Sequence, residues 1–92
     1  METLQGLYEL IASRKANAPA GSYTASLFAK GEDEIVKKVG EEAVEVIIAA
    51  KGQGHARIVS ESADLIYHLM VLLAEEDVPW ADVVAELERR RK

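Results

Sequence analysis

The sequence predicts an all-α fold, a helical hairpin protomer that completes a four-helix bundle by pairing with a second copy. Three observations predict it. Ala, Val, Leu, Ile and Glu dominate while aromatic residues make up only 5%, a mixture that favours packed helices over a sheet sandwich. The two longest patterned segments, about residues 33–51 and 56–76, far exceed an ordinary strand despite their β-branched residues. Both are also apolar nearly all round, more than a 92-residue chain without cysteine can cover alone. Pairing into a dimer of hairpins covers the surplus.

The elements follow in order. Leu4, Leu7, Tyr8 and Ile11 recur at helical spacing, so residues 4–16 form a short amphipathic helix. Asn17-Ala18-Pro19-Ala20-Gly21 breaks it. Ser22 then caps a helix over 23–30, and Gly31 stops it. The helix over 33–51 carries Ile35, Val36, Val39, Val44, Val46, Ile47 and Ile48 and ends at Gly52 and Gly54. The next, over 56–76, carries Ile58, Val59, Leu65, Ile66, Leu69, Met70, Val71, Leu72 and Leu73. Both are expected to be buried on several sides. Pro79 marks the first turn of a last helix over 80–90, and Arg89 to Lys92 form a frayed, solvated end. The pattern has no internal repeat, and 1–92 reads as a single domain.

The net charge of −5 argues against binding to nucleic acid, which most of the surface would repel. A small phosphorylated ligand remains open, since a divalent cation reverses the local field. No apolar run approaches the ~20 residues of a membrane span. Met1-Glu2 opens a mixed pattern rather than a secretory leader. The expectation is a cytoplasmic protein.

The chemistry lies in carboxylates. Glu41, Glu42 and Glu45 are i,i+3 and i,i+4 neighbours, within an arc of about 100° on one helix face. Such spacing repels, and a solvated acidic face is the plain reading. The flanking Ala43-Val44 and Val46-Ile47-Ile48 suggest burial instead, which calls for a compensating cation. Glu61 and Asp64 form a second acidic pair at the head of an apolar run, where Asp64 is not expected on a fully solvated face. Oxygen ligands without Cys or paired His point to a hard cation, Mg²⁺ or Mn²⁺. His68, four residues after Asp64, reads first as a satisfied core histidine and second as a ligand or an outer-shell partner; His55 reads as exposed. Lys37 and Lys38 precede Glu41 and Glu42 by four residues. They either make ordinary i,i+4 pairs or reach a substrate's phosphates.

Glu-Glu-x-x-Glu at 41–45, followed on the next helix by Glu61-x-x-Asp64, resembles the all-α nucleotide pyrophosphohydrolases of MazG type. The stretch Gly21-Ser22-Tyr23-Thr24-Ala25-Ser26-Leu27, then Gly31, then Lys37-Lys38-Val39-Gly40-Glu41-Glu42 resembles the phosphoribosyl-ATP pyrophosphatase family in particular, with likeness running from about Leu4 to Arg90. The resemblance implies Mg²⁺-dependent hydrolysis of phosphoribosyl-ATP to phosphoribosyl-AMP and pyrophosphate, the second step of histidine synthesis. It implies Glu41, Glu42, Glu45 and Asp64 as metal ligands, and Glu61 as ligand or partner of the base. Glu42, Glu45 and Glu61 are the catalytic candidates, and Ser22, Tyr23, Thr24, Lys37 and Lys38 the substrate-binding ones. It also implies a stand-alone form without the cyclohydrolase domain to which the activity is fused elsewhere. Ser22-Tyr23-Thr24 would meet phosphate through hydroxyls and helix N-terminal amides; without the resemblance it reads as a helix cap. Two other functions fit the pattern. One is a MazG-like house-cleaning enzyme acting on other nucleoside triphosphates, separable by comparing turnover of phosphoribosyl-ATP with that of dUTP and dCTP. The other is a non-enzymatic helical dimerisation module, which predicts no stability change on adding Mg²⁺.

Overall fold

The computed structural model describes residues 2–91, in which five helices are joined by short turns, with no strand among them. The helices are α1 (Glu2–Ala16), α2 (Tyr23–Lys30), α3 (Glu32–Ala50), α4 (His55–Glu75) and α5 (Trp80–Arg90). Each lies within two residues of its expected ends. Ser22 is the N-cap of α2: its backbone is extended and its Oγ accepts from the Ala25 N–H at 3.1 Å. Gly31, at φ 97°, closes α2 by donating to the Leu27 carbonyl at 3.1 Å and turns the chain directly into α3. Glu32, Asp33 and Glu34 occupy the first turn of α3, where acidic side chains suit the helix dipole. Pro79 is the cap residue before α5 rather than part of its first turn, which begins at the buried Trp80. The basic end is not frayed through Arg90: Arg89 and Arg90 remain helical and both donate to Glu86, Arg90 at 2.8 Å. Lys92 lies outside the described residues.

The core forms where α1 and α2 pack on the C-terminal half of α4. Ile11, Leu27, Ile35, Met70, Val71, Ala74 and Trp80 meet there. Long-range hydrogen bonds tie the same end. Tyr8 donates its hydroxyl to the Val78 carbonyl at 2.7 Å, joining α1 to the turn before α5. Lys15 reaches the C-terminus of α4, donating to the carbonyls of Ala74 (3.1 Å) and Glu75 (3.0 Å) while pairing with Asp77. A cation over those carbonyls satisfies groups that no helical partner can reach.

Within the single chain the burial of the two long helices is unequal: α4 buries Glu61, His68, Met70, Val71 and Ala74. Within the chain α3 buries only Ile35 and Ala49. Val36, Val44, Ile47 and Ile48 on α3, and Val59 and Ile66 on α4, are exposed. The helices α1, α2 and α5 meet α3 and α4 around the core of Ile35, Met70, Val71 and Ala74, and among the described residues none covers this apolar arc. The acidic residues Glu42 and Asp64 lie near the middle of the two helices. No described helix is long and apolar enough to cross a membrane.

Candidate functional site

The α3–α4 hairpin brings two acidic pairs face to face. One carboxylate oxygen from each of Glu42, Glu61 and Asp64 lies within 4.8 Å of the others. Beside them Lys38, Glu41, Glu42, Val44, Glu45 and Glu61 line an open cleft of about 540 Å³. The structure thus unites Glu42 with the second acidic pair and leaves Glu41 and Glu45 on the adjoining wall, where Glu41 pairs with Lys38 at 3.5 Å. Burial differs from expectation. Glu61 is the buried carboxylate, at 6% exposure, Glu42 and Glu45 are half-buried, and Glu41 and Asp64 are exposed.

Among the described residues Glu61 has one ion-pair partner, Arg57, whose Nη2 donates at 3.0 Å from one turn earlier on α4. That i,i+4 pair is visible in the spacing and escaped the sequence reading. Arg57 does not neutralise the cluster. Loss of water around Glu61 pushes its carboxyl above the ordinary 4.5; the hydrogen bond to Asp64 and the charges of Asp64 and Glu45 add to this, and Arg57 opposes it. Three oxygen donors converging without thiol or imidazole suit a hard divalent cation.

A pH dependence follows. A raised folded-state pKa means that the folded, metal-free chain holds this proton more tightly than the unfolded chain. The resulting stabilisation is complete below the ordinary carboxylate value and is lost as pH rises through the folded value. A cation must displace the same proton, so its apparent affinity is expected to weaken as pH falls toward that window. Calorimetric Mg²⁺ titrations between about pH 7 and about pH 5 check it; an unchanged affinity contradicts it.

Lys38 is poised over this wall. It lies 3.5 Å from Glu41 and 3.6 Å from Glu42. Burial alone would lower its pKa, but Tyr23, Glu42 and Glu41 together outweigh that and raise it, so the ammonium stays charged. Lys37 does not make the expected pair with Glu41. Its Nζ meets Glu34 at 3.1 Å, one turn back, and it does not line the cleft.

The Ser22-Tyr23-Thr24 segment is engaged internally. Ser22 caps α2, and the Thr24 hydroxyl bonds the Tyr67 hydroxyl. The Tyr23 hydroxyl lies 3.0 Å from His68 Nε2, and His68 Nδ1 lies 2.8 Å from the Asp64 carbonyl. A carbonyl only accepts, so Nδ1 carries the proton and Nε2 accepts from Tyr23. His68 is therefore the satisfied core histidine of the first reading, and it also ties α2 to the turn of α4 that bears Asp64. Tyr67 was missed. It stacks with Tyr23 at 6.5 Å between ring centroids and meets the His68 ring edge-on at 5.2 Å. A tyrosine inside an apolar run signals only a polar tip in need of a partner.

Comparison with known proteins gives the chain's relatives. The family model for phosphoribosyl-ATP pyrophosphohydrolase matches residues 4–91. The chain is 54% identical over 90 residues to a phosphoribosyl-ATP pyrophosphatase of Limosilactobacillus fermentum, covering 98% of this chain and 85% of the relative. It is 55% identical over 91 residues to the one from Pelotomaculum thermopropionicum, covering 99% and 93%. It is also 56% identical over 92 residues to the histidine biosynthesis bifunctional protein HisIE of Caldanaerobacter subterraneus, covering all of this chain and 45% of that protein.

Proposed function

The chain belongs to the phosphoribosyl-ATP pyrophosphohydrolase family, and from that premise we propose that it hydrolyses phosphoribosyl-ATP to phosphoribosyl-AMP and pyrophosphate, a step of histidine biosynthesis in the cytoplasm. The observation that carries this reading is the convergence of Glu42, Glu61 and Asp64 across the hairpin beside a cleft with a charged lysine.

Glu42, Glu61 and Asp64 would hold Mg²⁺ or Mn²⁺, with Glu41 and Glu45 available from the next wall. The ion, when bound, offsets negative charge on the polyphosphate and lowers the pKa of water. The chain's own groups do the rest. Phosphoryl transfer to water needs positioning and charge compensation more than covalent help. Lys38 supplies a fixed positive charge at the cleft for the departing pyrophosphate. One of Glu42, Glu45 and Glu61 would orient the attacking water or take its proton. Tyr23, held by His68, borders the same region.

The test is pyrophosphate release from phosphoribosyl-ATP. Turnover is expected with Mg²⁺, to vanish in EDTA and to return on re-addition. Full activity in EDTA would remove the carboxylate–metal reading. Comparable turnover of dUTP or dCTP would shift the assignment to a broader house-cleaning activity.

The same proposal includes a homodimer with a four-helix core. At 100° per residue, Val36, Gly40, Val44, Ile47 and Ile48 fall within an arc of about 120° on α3, and the four apolar side chains are exposed. Gly40 sits mid-helix, where it costs roughly 1 kcal/mol relative to Ala. A Cβ there would meet nothing within 4 Å, so nothing inside the chain requires glycine. A second helix crossing closely at this point would require it. Val59 and Ile66 extend the apolar face onto α4.

A further inference from the structure

A second cavity, of about 380 Å³, lies away from the acidic cleft, between the end of α1, α2 and the C-terminus of α4. Arg14, Lys15, Phe28 and Glu75 supply its chemistry, and Ala18, Ala25 and Ala29 complete the wall. Lys15 is engaged with Asp77 and the α4 carbonyls. Arg14 is half-buried, and among the described residues no carboxylate lies within ion-pair distance of it. A guanidinium left with its donor fork free beside a cavity is suited to a phosphate monoester, which it binds through two parallel hydrogen bonds. Glu75, on the opposite side of the charge balance, is also without an ion-pair partner among the described residues. A carboxylate accepts from hydroxyls, and a vicinal diol offers two donors at once. Phe28 and the alanines give a sugar ring an apolar wall.

We propose that this cavity is a sugar-phosphate subsite, in which Arg14 takes the terminal phosphate of a phosphopentose, Glu75 its ring hydroxyls, and Phe28 its carbon face. The inference rests on the proposed reaction and deepens it: this is where the substrate's phosphoribosyl group would lie while its triphosphate occupies the acidic cleft. Asp64 and Glu75 are eleven residues apart on α4, about 17 Å along the helix. That is the scale of a nucleotide lengthened by a second sugar phosphate. The ground between is aromatic. Tyr23 stacks on Tyr67, Tyr23 acts on Lys38 of the cleft, and Arg14 acts on the Tyr67 phenol. A purine would cross that ground between the two polar ends.

Arg14 also stands in the last turn of α1, where a cation suits the helix dipole and nothing more need be meant. Kinetics separate the two. Pyrophosphate release from phosphoribosyl-ATP is measured for the wild type, Arg14→Gln, Glu75→Gln and the exposed control Lys51→Gln. The subsite requires KM to rise about tenfold or more in Arg14→Gln with kcat within about threefold, the signature of lost uniform binding, and no change in Lys51→Gln. Ribose 5-phosphate should compete with substrate in the wild type and lose that effect in Arg14→Gln. An unchanged KM in folded Arg14→Gln, or equal inhibition of both proteins, overturns the subsite. If Arg14→Gln fails to fold, Glu75→Gln decides by the same KM criterion. If the wild type releases no pyrophosphate, the reaction assigned above is wrong. Calorimetry of ribose 5-phosphate on wild type and Arg14→Gln then still tests the cavity: saturable binding lost in the variant upholds it, and no binding to either overturns it.

Discussion

Replacing Glu61 with Gln is expected to lower turnover by about 10²–10³-fold, the usual loss when a group offsetting transition-state charge is removed, while leaving the metal-free protein as stable or more so. The two halves of this result have one cause. Glu61 is buried among like charges: burial, Asp64 and Glu45 all act against its ionised form. Gln keeps the shape and its hydrogen-bonding capacity toward Asp64 but removes the charge, so repulsion in the empty site falls. It also weakens one of three converging donors. The rise in melting temperature on adding Mg²⁺ should therefore shrink, because a ligand that binds only the folded state stabilises by RT ln(1 + [L]/Kd). Losing Arg57's partner matters little, since Arg57 is exposed to water. Melting curves of wild type and Glu61→Gln, each with and without Mg²⁺, beside the pyrophosphate assay, decide it. Near-wild-type turnover with an unchanged Mg²⁺ response would make the acidic cluster an ordinary solvated face. Glu45→Gln, on the adjoining wall, should lose activity too, with a smaller change in the Mg²⁺ response.

The elements and the acidic motif were legible because they rest on local rules. Periodicity placed the helices, and Ser22 and Gly31 marked the joints around α2 by cap chemistry alone. Spacing placed Glu41, Glu42 and Glu45 on one face. What spacing could not supply was the register between helices. That register joins Glu42 to Glu61 and Asp64 and leaves Glu41 and Glu45 alongside. It also sends Lys37 back to Glu34, a choice between two allowed neighbours that the helix pattern leaves equal. The Tyr23–His68 bond and the Thr24–Tyr67 bond span 45 and 43 positions, so only the packing of α2 on α4 reveals them. The apolar surplus was legible as well: the pattern made α3 and α4 too apolar for one chain to cover, and the described helices leave one apolar arc of α3 bare, at Val36, Val44, Ile47 and Ile48.

That arc sets the second large effect. Ile47→Glu is expected to convert a dimer into a monomer at micromolar concentration and to lower the melting temperature markedly. Ile47 is 62% exposed in the single chain, so as a monomer the protein would accept a glutamate there with little change. In a two-fold dimer the site occurs twice, close to the axis-facing Gly40. Each copy would place an unpaired carboxylate in an apolar contact, at about 3–5 kcal/mol per copy. The lost burial of the isoleucine adds about 1.5–3 kcal/mol more. A chain of this size has little reserve against such a loss. Gly40→Leu offers an independent probe. It lies in open space in the single chain and should favour the helix, so a monomer would gain stability, whereas closely crossing helices would be forced apart. Sedimentation equilibrium and thermal melting of the wild type and both variants check this. If the wild type sediments as a stable folded monomer, or if both variants stay dimeric with unchanged melting, the exposed arc of α3 is not the contact and the four-helix core fails with it.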